Sequence, residues 1–204
     1  MDDSTFLKMI FDGYVNYYGA LRFHTVCSDT DMTQLELSFF TDLGLKLGFI
    51  PKRNHEELNS NPRDLVWIKC LTNCTEDKWN PNNTIFLHLE RENDSSQAVD
   101  AITGHSKLNN SARYADNRYL VGIFGWVTPD DFNKIINALE EEPYKNRNIL
   151  IIAWIGENKD NANKVHGLLY SGGQSWERIA RAYWDKTKFW YLYFEQKNIW
   201  EVRL

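Results

Sequence analysis

Three carboxylates sit where one metal ion could hold them together. Asp64 opens the apolar run from Asp64 to Lys69, and Glu90 and Glu92 end the run from Thr84 to Glu92. Residues two apart on a strand project to the same side, so Glu90 and Glu92 point together. Two anions side by side repel, and a bound cation offsets that repulsion. Hard oxygen ligands suit magnesium, with manganese as a substitute, and few protein ligands leave room for water and phosphate. His88 falls on the same strand face. Its expected role is a packing histidine bonded to a backbone group, with acid or base work as the alternative. Alternation turns Lys69 away from Asp64.

A fourth acid lies upstream. Leu35, Phe39, Leu43 and Leu47 recur every four residues, which predicts an amphipathic helix from Thr33 to Phe49. At about 100° per residue Glu36 falls in the middle of the apolar stripe. A carboxylate facing a core needs a partner, either a metal or a basic side chain.

The elements that must position these acids follow from pattern. A tyrosine- and phenylalanine-rich helix is expected from Thr5 to about Arg22, and loops are expected over 51–61 and 73–83. Those loops bracket the Asp64 strand and favour a hairpin with the Glu90 strand. A helix is expected from Ser95 to about Asn110. A buried strand from Arg118 to Phe124 follows, then a helix from Thr128 to about Glu142 and a strand from Asn148 to Trp154. This alternation implies an α/β fold, a mixed central β-sheet flanked by helices with a parallel part. Beyond it, Val165 to Tyr170 reads as a strand and Ser175 to about Lys186 as a helix. Gly172 and Gly173 ahead of that helix read as a turn rather than a phosphate cradle. Residues 188–194 are aromatic on both faces, as for a central strand or a dimer seam more than a base-stacking surface.

The order of a helix with Glu36, a strand with Asp64, a strand with Glu90 and Glu92, a helix and a strand resembles the PD-(D/E)XK nuclease superfamily. The matching stretches are Gln34 to Glu36 with Leu43 to Phe49, Pro62 to Trp67, and Phe86 to Glu92, within residues 33–125. Two departures stand out. Arg63 separates the proline from Asp64, and Glu92 replaces the usual lysine, as in a minority ExE variant. The resemblance implies a restriction-endonuclease-like core and metal-dependent cleavage of DNA, with RNA not excluded. It assigns Asp64, Glu90 and the backbone carbonyl of Arg91 as metal ligands. Glu92 would orient or deprotonate the attacking water or ligate a second ion, and Glu36 would hold a metal-bound water or a group that orients a ligand. Gln97 would reach phosphate or remain on the surface.

Composition narrows the partners. The 204 residues suit one domain, with a nuclease-like core over about 33–155 and an aromatic-rich extension over about 165–204. A net charge of −5 argues against strong nonspecific duplex binding, though catalytic acids contribute to it. Basic residues gather at Lys46, Lys52, Arg53 and Arg63 and again at Arg178, Arg181, Lys186 and Lys188, as on solvated faces. No apolar stretch long enough for a bilayer and no signal peptide are apparent, so a cytoplasmic protein without membrane contact is expected. Cys27, Cys70 and Cys74 are expected as reduced thiols, and with His24 they offer an irregular zinc set. A homodimer is expected for cutting two strands. Two alternatives to an active nuclease stay open: a catalytically inactive domain of the same fold serving as a nucleic-acid-binding or assembly module, and an unrelated α/β protein.

Overall fold

A computed structural model describes residues 1–21, 23–24, 29–55, 63–69, 85–104, 107–113, 118–158, 162–184, 189–195 and 199–203. Among these residues one side of the sheet is an antiparallel meander of β2 (Ile50–His55), β3 (Arg63–Ile68) and β4 (Ile85–Glu92), with β2 at the edge. Next to β4, β5 (Tyr119–Val127) and β6 (Ile149–Ile155) run parallel to it. Their near-continuous Val, Ile and Leu content is what a strand covered on both faces requires. β7 (Lys164–Ser171), β8 (Gln174–Trp184) and β9 (Phe189–Tyr193) then continue the sheet antiparallel. The two-residue β1 (Phe23–His24) closes the β9 side, and β10 (Glu201–Arg203) pairs with β8. The result is one mixed sheet ordered β1-β9-β8-β7-β6-β5-β4-β3-β2.

Helices cover both faces. α1 (Asp3–Leu21) and α2 (Asp29–Lys46) bury Phe11, Tyr14, Tyr18 and Phe40 against Leu65, Trp67, Leu89 and Leu150. Trp67 fixes α2 on β3: its indole N–H donates to the Phe40 carbonyl at 3.0 Å. Gly44 makes that approach feasible, since a Cβ there would sit 2.7 Å from the indole nitrogen. On the other face, α3 (Ser95–Thr103), α4 (Lys107–Ala112) and α5 (Pro129–Leu139) pack Ile102, Leu108 and Ile135 on Leu120, Phe124 and Ile151. α5 begins with the expected signals, since the Thr128 hydroxyl accepts from Asp131 N–H and Pro129 stands in the first turn. No helix among the described residues is long and apolar enough to cross a membrane.

Four expectations are corrected. Ser175 to Lys186 is not a helix; β8 spans Gln174–Trp184, and Gly172 and Gly173, at φ 58° and 77°, make the turn of a β7–β8 hairpin. Residues 51–55 are strand rather than loop, a polar edge strand. The expected helix from Ser95 to Asn110 is two helices, α3 and α4, with extended backbone at Gly104 ending the first. β9 is not central, and among the described residues the helix packed on it is α1, on the face opposite its tyrosines. The expected loop over 73–83 and all three cysteines lie outside the described residues.

Candidate active site

Strand register brings the acids together. Leu65 pairs with Leu89 and Val66 with His88, so one further antiparallel step sets Asp64 opposite Glu90 on the same face. Alternation places His88, Glu90 and Glu92 on that face, which turns towards α3, α4 and α5. Glu90 is 2% exposed and Glu92 6% exposed, and Asp64 is half-buried at the strand end.

Each acid has a protein partner. Asp64 Oδ2 accepts the Arg91 backbone N–H at 2.7 Å. His88, fully buried, sets Nε2 2.5 Å from Glu90 Oε1, a contact in which the imidazole N–H donates. Lys107 donates Nζ to Glu92 Oε1. Burial, then the field of Glu90, pushes the Asp64 carboxyl up to about 6. Burial also raises the Glu92 carboxyl, against the opposing pull of Lys107. For Lys107 burial lowers the ammonium pKa, yet Glu92, Glu90 and Asp64 together hold it above its ordinary value.

Lys107 is the charged side chain beside these acids that sequence reasoning missed. It opens α4 with a left-handed backbone, φ 55°, which is uncommon for a residue with a side chain. The extended backbone at Gly104 ends α3, and α4 starts at Lys107 with the ammonium at Glu92. A continuous helix from Ser95 gives no reason to place it there.

Glu36 is elsewhere. It is fully buried on α2 and meets the side chain of Arg91, which points away from Glu90 and Glu92. Arg91 Nε donates to Glu36 Oε2 at 2.7 Å, and the Tyr14 hydroxyl donates to Oε1 at 2.7 Å. Trp154 Nε1 donates to the Tyr14 oxygen at 3.0 Å, and Arg91 also donates to Asn93. The partner that Glu36 requires is therefore a basic side chain, and Glu36 does not join Asp64, Glu90 and Glu92. Gly125 makes room for the arginine, since a Cβ there would lie 2.7 Å from a guanidinium nitrogen. Arg91 is the hub: its side chain holds α2 while its backbone holds Asp64.

No known protein family, curated protein or solved structure matches the chain.

The remaining sequence-predicted residues scatter. Gln97 is exposed in the first turn of α3, where its N–H caps onto Asp94. Lys69 is exposed after β3. Arg53 turns to α2, donating to Gln34, Ser38 and Thr41 rather than towards the acids. Among the described residues, no three His, Cys, Asp or Glu side chains converge closely enough to grip an ion alone. Asp64 and Glu90 can still supply two carboxylates, and magnesium commonly takes one or two with water completing its shell. Chemically, the site offers two facing carboxylates, a third acid of raised pKa and an ammonium beside it.

Proposed function

We propose that the protein is a divalent-metal-dependent nuclease that hydrolyses DNA phosphodiester bonds, on a restriction-endonuclease-like core. The observation that carries this reading is the facing of Asp64 and Glu90 across β3 and β4, two carboxylates drawn out of water beside one another. Asp64, Glu90 and the Arg91 carbonyl would hold magnesium, with manganese as substitute. Support for the carbonyl comes from strand geometry: a strand residue directs its N–H and C=O to the same neighbour, and the Arg91 N–H meets Asp64 on β3. When bound, the ion supplies an acidified water and positive charge against the phosphate.

The chain's own residues do the rest. Glu92, its basicity raised by burial, takes the proton of the attacking water. Lys107 supplies the positive charge that position 92 lacks and meets the charge building on the phosphate oxygens. His88 fixes the Glu90 carboxylate through its N–H, as imidazoles behind ligands do. The Glu36–Arg91 pair anchors the strand end from the opposite face.

One observation favours a second reading. Glu90 and Glu92 are already partnered by His88 and Lys107, as they would be in an inactive nuclease-fold domain serving as a binding or assembly module. Calorimetric titration with magnesium separates the two. The nuclease reading expects one saturable site that Asp64→Asn and Glu90→Gln each weaken by tenfold or more, and the module reading expects no heat.

A further inference from the structure

β8 and β9 present an exposed aromatic surface on the face of the sheet that carries the acids. On β8, Ala180 and Ala182 turn to the α1 side, and on β9 Leu192 is 2% exposed there. Alternation therefore sends Ile179, Arg181, Tyr183, Tyr191 and Tyr193 to the other face. Ile179 is opposite His166, whose ring packs on Phe132 of α5, so this is the face of α3, α4 and α5. Tyr183 pairs with Tyr191 and Arg181 with Tyr193. The three rings form a cluster with centroids 5.4, 6.2 and 6.5 Å apart, and Tyr183 and Tyr193 are 47% and 36% exposed.

Register ties this cluster to the acids. Glu92 lies opposite Phe124, Phe124 opposite Ala153, Ala153 opposite His166 and His166 opposite Ile179. β8 runs in the same direction as β4, because β7 reverses the chain once and β8 reverses it again. Arg181 and Tyr183 therefore lie past the Glu92 row at the same end of the sheet. Four strand spacings of about 4.8 Å separate β8 from β4, roughly 19 Å.

We propose that Tyr183, Tyr191 and Tyr193 form a stacking surface that holds single-stranded DNA at the end of the sheet where the carboxylates lie. The proposal rests on the nuclease reading and supplies its substrate class. Base–aromatic stacking tolerates any sequence and needs unpaired bases, so an exposed tyrosine cluster favours a single strand over a duplex. Charge agrees. Exposed Lys164 stands opposite Arg181 on the same face, and both suit backbone phosphates, while Glu195 pairs with Arg181 and keeps the attraction moderate. Local binding by stacking also fits a chain whose net charge of −5 disfavours long-range attraction to duplex.

The test is fluorescence anisotropy of a labelled oligothymidylate in a metal chelator, so that binding is read without cleavage. Wild type should bind the oligothymidylate more tightly than it binds a duplex of equal length. Tyr183→Ala and Tyr193→Ala should each weaken binding about tenfold. Tyr183→Phe and Tyr193→Phe should retain it, since the ring rather than the hydroxyl stacks. Equal binding by the alanine variants, or a preference for duplex, would overturn the proposal. A preference for oligouridylate would overturn the assignment to DNA. A tyrosine-dependent dimer in sedimentation, with no oligonucleotide bound, would make the surface an interface instead. Tyrosine-dependent binding by a wild type that cuts nothing would keep the surface and dismiss the nuclease reading, so the two fail separately.

Discussion

The carboxylate of Asp64 accepts the backbone N–H of Arg91 at 2.7 Å, while the side chain of the same arginine holds Glu36 on the opposite face of the sheet. One residue thus couples the seating of α2 to the position of an acid on the other face of the sheet. Disturbing the Arg91 side chain should therefore reach Asp64 through the strand.

That coupling gives the first prediction. Arg91→Met leaves Glu36 buried without its cation, and breaking a buried pair on one side costs about 3–5 kcal/mol. Adding Glu36→Gln should recover most of the loss, because Tyr14 can still donate to the amide oxygen. Urea unfolding of both variants checks this. Equal stability of Arg91→Met and its double mutant would show the pair to be structurally idle.

Asp64 should be a stability liability in the metal-free protein. Its folded pKa of about 6 lies above the ordinary 3.8, so the native state binds the proton more tightly than the unfolded chain. Stability from that proton is full below about pH 4 and is lost as pH rises through about 6. Asp64→Asn should therefore raise stability by up to about 3 kcal/mol at neutral pH and change it little at acid pH, as thermal melts would record. A variant less stable than wild type at neutral pH would contradict the placement of Asp64 beside Glu90.

Lys107 competes with any bound cation for the same acids. Lys107→Met should tighten magnesium binding about tenfold while lowering cleavage, because one positive charge leaves the carboxylates and the phosphate together. Calorimetry and initial rates separate the two effects. Weaker magnesium binding with unchanged turnover would remove Lys107 from the site.

Gly125 offers a steric check on the same hub. Gly125→Ala puts a Cβ 2.7 Å from the Arg91 guanidinium, which must shift; overpacking of this kind costs about 1–3 kcal/mol. The loss should shrink in an Arg91→Met background, where the long side chain no longer opposes it. An undiminished loss there would assign the cost to the β5 backbone.

Much of this arrangement was legible in period and order. Two-residue alternation was enough to join His88, Glu90 and Glu92, and the buried position of Glu36 followed from the apolar stripe of its helix. What partnered Glu36 was not, because Arg91 reads in sequence only as the residue between two glutamates. The loops and the order of elements pointed to the hairpin that joins the Asp64 and Glu90 strands, while its register comes from pairing, which no local pattern records. Lys107 escaped because its role depends on a helix break and a left-handed residue. Ser175 to about Lys186 reads as a helix in sequence. Its alternation of Trp176, Arg178, Ala180 and Ala182 against Glu177, Ile179, Arg181 and Tyr183 is the signature of a strand, and pairing with β7 and β9 overrides the propensity.

The central claim is hydrolysis at the Asp64–Glu90 face. It is tested most directly by incubating supercoiled plasmid, single-stranded DNA and a four-way junction with magnesium or manganese, with wild type and Asp64→Asn side by side. Metal-dependent cutting of at least one substrate, lost in a variant that remains folded, is the predicted result. Equal cutting by the folded Asp64→Asn protein, or none by wild type with either metal, would contradict the account.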